Sequence, residues 1–310
     1  VPLDRYINTF NRYLQERFGG RVARISFDTG IPCPWGRCVF CDNAVFVPRG
    51  AIVPGRRGWR DRLVFQKKRM VGRYGAHKYL AYFQSGTSTS GDPRKLGRMY
   101  GAAARTEDTV GLIVSTRPDY VTEEIVRQVV QSAPSNDFDL WIEIGLQSAH
   151  ERSLAFLERG HDVASYDTAI DMIHRVGEGR VKVAVHLIAG IPGETSADVL
   201  ETVRFATRHP VVQGVKIHHL QVYRGTRLAD RFESAPFALP EEDEHIVLLG
   251  EVIKELPPQV VVMRFFTEAP SARLIAPRWD SNTQELLKKL EEYCKNNTIT
   301  QGCGRNGCVN

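Results

Sequence analysis

An α/β fold of parallel strands is what this sequence of 310 residues predicts, on two observations. From residue 22 onward, β-branched runs alternate with segments of helical period, and that alternation implies parallel strands joined by right-handed crossovers. The repeat also has the right length. Six units of roughly 33 residues each, ending near residue 225, match the ~30 that a strand, a helix and a return require. They fall short of the eight units and ~250 residues of a closed barrel. A partial, six-unit barrel and an open doubly wound sheet both satisfy this rhythm.

The chain begins with "VPLDRYINTFNRYLQERFGG", which lacks the apolar core of a signal sequence and reads as an amphipathic helix. Strands are expected at "RVARISFDTG", "KYLAYFQSG", "TVGLIVSTRP", "DLWIEIGLQS", "KVAVHLIAG" and "VKIHHLQVY". Between them, "VTEEIVRQVVQSA" offers Thr122 as an N-cap, with Ile125, Val126, Val129 and Val130 on one face. "SYDTAIDMIHRVGEG" places Ala169, Ile170, Ile173 and Val176 together and stops at glycine. Thr195 in "GIPGET" is placed to cap a further helix, and Cys294 falls within a helical run near the C-terminus.

The composition, 42% hydrophobic and 25% charged, is that of a globular protein. No apolar run approaches the roughly 18 residues of a membrane span. Six cysteines in a chain of this length do not make a secreted disulfide scaffold, so a reducing cytoplasm is expected. The net charge of +5 is unevenly spread. "RRGWRDRLVFQKKRMVGR", Arg56 to Arg73, holds eight Lys or Arg against Asp61 alone. Such a run can track a phosphate backbone, or it can be the solvated face of a surface helix.

Chemistry concentrates in "DTGIPCPWGRCVFCDN", where Cys33, Cys38 and Cys41 follow the first strand. Three thiols cannot pair among themselves, which makes metal ligation the first alternative. Zinc would normally take four ligands, and no His or fourth Cys lies nearby. An iron–sulfur cluster with one iron left open needs three thiolates. The position also suits a functional loop, since active groups in α/β folds gather at the C-terminal ends of strands. In the fourth strand, Leu140, Ile142, Ile144 and Leu146 face one way and Glu143, Gly145 and Gln147 the other; His186 and Gly190 share a face of the fifth. Polar groups inside a barrel are costly unless they bind something or satisfy one another.

A Cys triad after the first strand, closing in C-x-x-C with Phe40 before the last cysteine, resembles the radical S-adenosylmethionine (SAM) superfamily. One departure is the four residues between Cys33 and Cys38, where the commonest pattern has three. The resemblance implies a partial (β/α)6 TIM-like barrel over residues 22–230, an N-terminal helix over 1–21 and a C-terminal α/β extension over 231–310. It implies a 4Fe-4S cluster on Cys33, Cys38 and Cys41, and SAM on its open iron. "QSGTST" stands where the family's Gly-rich turn binds the SAM ammonium, implicating Ser85, Gly86 and Thr87. Gln147 matches a ribose-binding position and Arg159 one that contacts the SAM carboxylate. "HLIAGIPGET" resembles the motif behind the adenine, with His186 and Ile188 as contacts. Phe40 and Glu143 are expected to line the same site.

"STRPDYV", "GLQS" and "YRGTRLAD" are similar to the radical-SAM domain of the Elongator catalytic subunit. "RYINTFNRYLQERFGGRV", "EIGLQSAHERSL", "RGHD", "KIHHLQV" and "SARLIAPRW" resemble small bacterial Elongator-like proteins, the family containing YhcC and YtqA. That kinship implies a tRNA wobble uridine as substrate and a reductant such as flavodoxin or ferredoxin. A radical SAM enzyme of small metabolites or peptides, and a zinc-stabilised RNA-binding module, are the rival readings. Lys216, His218, His219 and Arg264 are candidates to meet substrate or to be buried or capping residues of a polar lumen; Arg117 is equally a substrate contact or a structural pair with Asp119; Cys303 and Cys308, too few to ligate a second cluster, read as a disordered tail or a fortuitous pair.

Overall fold

Parallel pairing in chain order builds the molecule. The computed structural model describes residues 2–42, 50–267 and 271–306. Strands β1 (Val22–Phe27), β2 (Lys78–Phe83), β3 (Thr109–Thr116), β4 (Asp139–Gln147), β5 (Val181–Ala189) and β6 (Val212–His219) lie side by side. A short β7 (Val222–Tyr223) leaves this sheet to pair antiparallel with β9 (Leu274–Ala276). The C-terminal stretch adds a seventh parallel strand, β8 (Val261–Arg264), beside β6.

Neighbouring strands lie about 4.8 Å apart, so β2 and β6 would be roughly 19 Å apart in a flat sheet. Instead, Lys216 Nζ on β6 donates to the Tyr82 hydroxyl on β2 at 2.8 Å. Only a sheet curled into a partial barrel allows that contact. This decides against the doubly wound alternative, between which and the barrel periodicity does not choose.

Helix α1 (Phe10–Phe18) comes first, with Thr9 accepting from Arg12 N at 3.1 Å as its cap. The crossovers are α2 (Trp59–Tyr74), α3 (Pro93–Ala104), α4 (Glu123–Ser132), α5 (Glu151–Phe156), α6 (Val163–Val176) and α7 (Ser196–Ala206). Beyond β6 come α8 (Arg227–Ser234), α9 (Glu242–Glu255), α10 (Thr283–Asn296) and α11 (Cys303–Asn306). Thr122 caps α4 and Thr195 shares a capping box with Asp198 at α7, as the residue types predict. The outer strand faces pack under the helices: Ile142, Ile144 and Leu146 share one core with Val126, Val129, Ile170 and Ile173. Cys294 is buried in α10, and Cys303 is buried too; Cys308 lies outside the described residues.

The end of the barrel away from the cysteines is plugged by α1. Phe10 and Leu14 enter a second core with Leu80, Ile113, Trp141 and Met263, and Tyr13 meets Trp141 edge-on at 5.7 Å. A buried carboxylate, Asp139, ties the plug down. It accepts from Tyr13 OH at 2.9 Å and Trp141 Nε1 at 2.7 Å, and it pairs with the Lys182 ammonium. The C-terminal stretch closes the same end, where Val262 N donates to Asn8 O and Asn8 N to the Gln301 amide, both at 2.8 Å.

Removing one partner of a buried ion pair costs about 3–5 kcal/mol. Asp139→Ala should therefore lower the melting temperature by several degrees in a circular-dichroism melt. Arg127→Ala, which breaks the exposed Glu123 pair, should leave it unmoved.

Candidate active site

The cysteine loop leaves β1 at the C-terminal end of the sheet and is pinned there by backbone and indole contacts. Val39 N donates to Leu157 O at 3.1 Å, and Leu228 N to Val39 O at 2.9 Å. Trp35 Nε1 donates to Glu158 O at 2.8 Å, and its ring lies against Gly160. A Cβ at Gly160 would sit 2.1 Å from that ring, and the residue has φ +69, so the "RGHD" glycine is needed twice over. Gly86, at φ +59, lets the turn after β2 approach Cys33, whose Cβ would be 3.3 Å from an added methyl.

Two adjoining cavities open at this end. The inner one, about 160 Å³, is lined by Cys33, Cys38, Cys41, Phe40, Gly86, Thr87, Glu143, Gln147, Arg159 and His186. The outer one, about 250 Å³, shares Phe40, Cys41, Gly86, Gln147 and His186 and adds Ile188, Lys216, His218, His219 and Arg264. The structure thus brings together every residue that the sequence nominates for the site except Ser85. That hydroxyl is buried and has no partner among the described residues, but it lines neither cavity. Gln84, Ser115, Thr116 and Arg117 line the inner cavity without being nominated for it by the sequence. Gln84 continues the inward phase of Leu80 and Tyr82, and that period-two signal is present in the sequence.

The thiols sit among cations. Arg159 Nη1 donates to Cys38 Sγ at 3.2 Å and Nη2 to Gly145 O at 2.8 Å, while its buried Nε has no partner among the described residues. Arg117 is held bidentate by Asp119 at 2.9 Å, one of the two readings its sequence position leaves open, and still reaches 4.0 Å from Cys38 Sγ. Burial works to raise the Cys33 thiol, but the Thr87 hydroxyl at 3.2 Å, the nearby backbone amides and Arg117 bring it below the usual thiol range. Cys41 is pushed up to about 12, by burial and then by Cys38 and Cys33.

Among the described residues, the one group of three potential ligands with all donor atoms within 4.8 Å is His150, Asp198 and Glu201. At least one pair of the cysteine sulfurs is thus more than 4.8 Å apart, wider than the ~3.8 Å set by a tetrahedral zinc with bonds of about 2.3 Å. The donor set fits an iron–sulfur cluster. A buried guanidinium with a free Nε also fits the anionic end of an amino acid beside it.

Behind the thiols, Glu143 is buried in the lumen. Its Oε2 accepts from Tyr82 OH at 2.7 Å, Ser115 Oγ at 2.8 Å and His186 Nε2 at 3.0 Å, and Lys216 pairs with Oε1. Burial alone would raise this carboxyl, yet Lys216 and the hydrogen bond from His186 hold it well below the usual carboxylate range. Lys216 is pulled down to about 7 by burial, against the pull of Glu143. Glu143 and His186 thus satisfy each other, whereas Gln147 is aimed into the cavity by a bulge between Gly145 and Gln147 and a φ of +73.

Comparison with known proteins gives the family. The sequence model described as Radical SAM superfamily matches residues 32–206, and that of the Radical_SAM C-terminal domain matches residues 212–296. The chain belongs to the radical SAM superfamily, whose members use a 4Fe-4S cluster and SAM, and the zinc-module reading falls with that membership. Within it, the chain is similar to Protein YhcC of Escherichia coli K12, with 32% identity over 300 residues covering 94% of each. It is also similar to the tRNA uridine(34) acetyltransferase of Methanocaldococcus infernus, 26% identical over 185 residues, 59% of this chain and 33% of that one. Among solved structures, the M. infernus Elp3 shares the fold with a TM-score of 0.67 at 19% identity, over 90% of this chain and 64% of that one. The chain therefore spans under two thirds of the Elp3 chain and about a third of the acetyltransferase.

Two outcomes follow. Cys38→Ala should abolish iron and sulfide retention after anaerobic reconstitution, whereas Cys303→Ala should keep both, as read by metal analysis and the visible spectrum. Arg159→Ala should weaken SAM binding by about 1.5–3 kcal/mol in anaerobic titration calorimetry, the worth of a charge-assisted contact. Unchanged affinity would remove Arg159 from the SAM site.

Proposed function

We propose that this chain is a radical SAM enzyme that modifies the side chain of a tRNA wobble uridine, reduced by a protein such as flavodoxin or ferredoxin. The observation that carries the reading is the continuity of the two cavities. The inner one gathers the thiols and Arg159, and the outer one adjoins it across Phe40, Cys41, Gly86, Gln147 and His186, with room for a second ligand. Similarity to a tRNA uridine(34) acetyltransferase and the fold shared with Elp3 favour a uridine of tRNA as that ligand.

Cys33, Cys38 and Cys41 would hold the cluster. When bound, it supplies the electron that splits SAM into methionine and a 5′-deoxyadenosyl radical. Arg159 anchors the SAM carboxylate, the Gly86–Thr87 turn receives its ammonium, and Gln147 faces the ribose. His186 and Ile188 back the adenine, and Phe40 lines both cavities. Glu143 acts through others: its hydrogen bonds fix Tyr82, His186 and Lys216 in one orientation.

Reconstituted protein with dithionite and SAM should form 5′-deoxyadenosine faster when tRNA is added. Mass spectrometry of digested tRNA should then show a changed nucleoside at the wobble position. A rate indifferent to tRNA, with unaltered nucleosides, would sink the tRNA reading and leave a small metabolite or peptide in its place.

A further inference from the structure

Helix α2 is an unusual cover for an edge strand. It buries Leu63 alone and leaves Val64, Phe65, Val71 and Tyr74 exposed, with Phe65 62% accessible. Lys67 is turned inward, toward the Tyr79 ring and the Glu107 carbonyl. The other seven cations of the run, Arg56 to Arg73, are exposed, and among the described residues none pairs with a carboxylate. Residues 60, 64, 68 and 71 form one exposed ridge and residues 62, 65, 69 and 73 the next. Guanidinium groups lie against aromatic faces along the helix: Arg60 on Trp59 at 5.4 Å, Arg69 on Phe65 at 6.0 Å and Arg73 on Tyr74 at 5.1 Å.

The placement matters as much as the charge. α2 follows the cysteine loop and runs antiparallel to β1, so its N-terminal end is at the cavity mouth, where Arg56 lies against Gly30. Its other end reaches the closed floor, where Arg21 donates to Tyr74 O at 3.0 Å. A helix of its length spans about 24 Å. Cations therefore extend from the mouth down the whole flank, on two ridges, interleaved with aromatic rings.

We propose that α2 is an RNA-docking surface, on which phosphates of the substrate meet the two cationic ridges and an unpaired base stacks on Phe65. The inference rests on the tRNA reading of the site. A linear polyanion matches charge spread over the length of a helix better than a compact acidic patch does. Exposed aromatics between cations are what an unpaired strand uses. An acidic redox protein is the competing occupant, and the test separates the two.

Reconstituted full-length protein is titrated with tRNA at several salt concentrations by fluorescence anisotropy, and circular-dichroism melts confirm folding. R60E/K68E/R69E should weaken binding at least about tenfold at low salt and flatten the log–log salt slope by about 2, at ~0.7 for each phosphate left without its cation. Phe65→Ala, a change at an exposed residue, should weaken binding roughly fivefold or more with the slope preserved. SAM cleavage driven by dithionite without tRNA should be unchanged in both variants. Tight, salt-dependent wild-type binding that neither variant disturbs would overturn the docking surface while sparing the tRNA reading. Absence of wild-type tRNA binding would overturn the reading itself, and the docking surface with it. Unchanged tRNA binding together with failed reduction by flavodoxin would assign α2 to the acidic protein.

Discussion

The Glu143 carboxylate is the constraint on which the open end of the barrel depends. A charge buried in a low-dielectric interior costs several kcal/mol unless it is paired and fully hydrogen-bonded. The donors that satisfy Glu143 come from four other strands: Tyr82 from β2, Ser115 from β3, His186 from β5 and Lys216 from β6. No flat sheet can present them to one carboxylate. The curl of the sheet and the ionisation of Glu143 are therefore one condition. The Asp139 network does the same at the floor, where it joins α1 to β4 and β5.

Electrostatics grade from the lumen to the cysteine loop. Around the lumen carboxylate Lys216 stands against Glu143, while burial holds His186 and His218 below their usual range. At the cysteine loop, Arg159 and Arg117 stand beside the thiols. Burial and crowding raise Cys41, while the Thr87 hydroxyl and backbone amides help lower Cys33, so neighbouring thiols of one loop sit in opposite environments. Arg264 adds a cation to the outer cavity, which lies between the thiols and the C-terminal stretch.

That stretch is part of the working barrel. β8 extends the parallel sheet, Arg264 and Thr267 line the outer cavity, and Thr267 Oγ1 meets His218 Nδ1 at 3.0 Å. Arg273 reaches back to Asp42 beside Cys41, so the region after β8 also braces the cysteine loop. The edge left at β1 is the side on which the basic helix α2 lies, next to the mouth. The sheet's asymmetry, closed by β8 on one side and flanked by α2 on the other, sets where a large substrate has room to approach.

Much of this is legible in the sequence because it is local. The alternation in "DLWIEIGLQS" separates Ile142 and Ile144 from Glu143 and Gln147, and the spacing of Cys33, Cys38 and Cys41 names a three-thiolate site. Thr122 and Thr195 announce their helices through the chemistry of a cap. What the sequence could not show is which lumen groups satisfy one another and which stay free for a ligand. Glu143 is saturated, Gln147 is aimed by a bulge, Ser85 lies off the cavity, and the seventh strand comes from a region that reads only as an extension. Those outcomes depend on curvature, and curvature is set by contacts between residues as far apart as Tyr82 and Lys216, which no local pattern encodes.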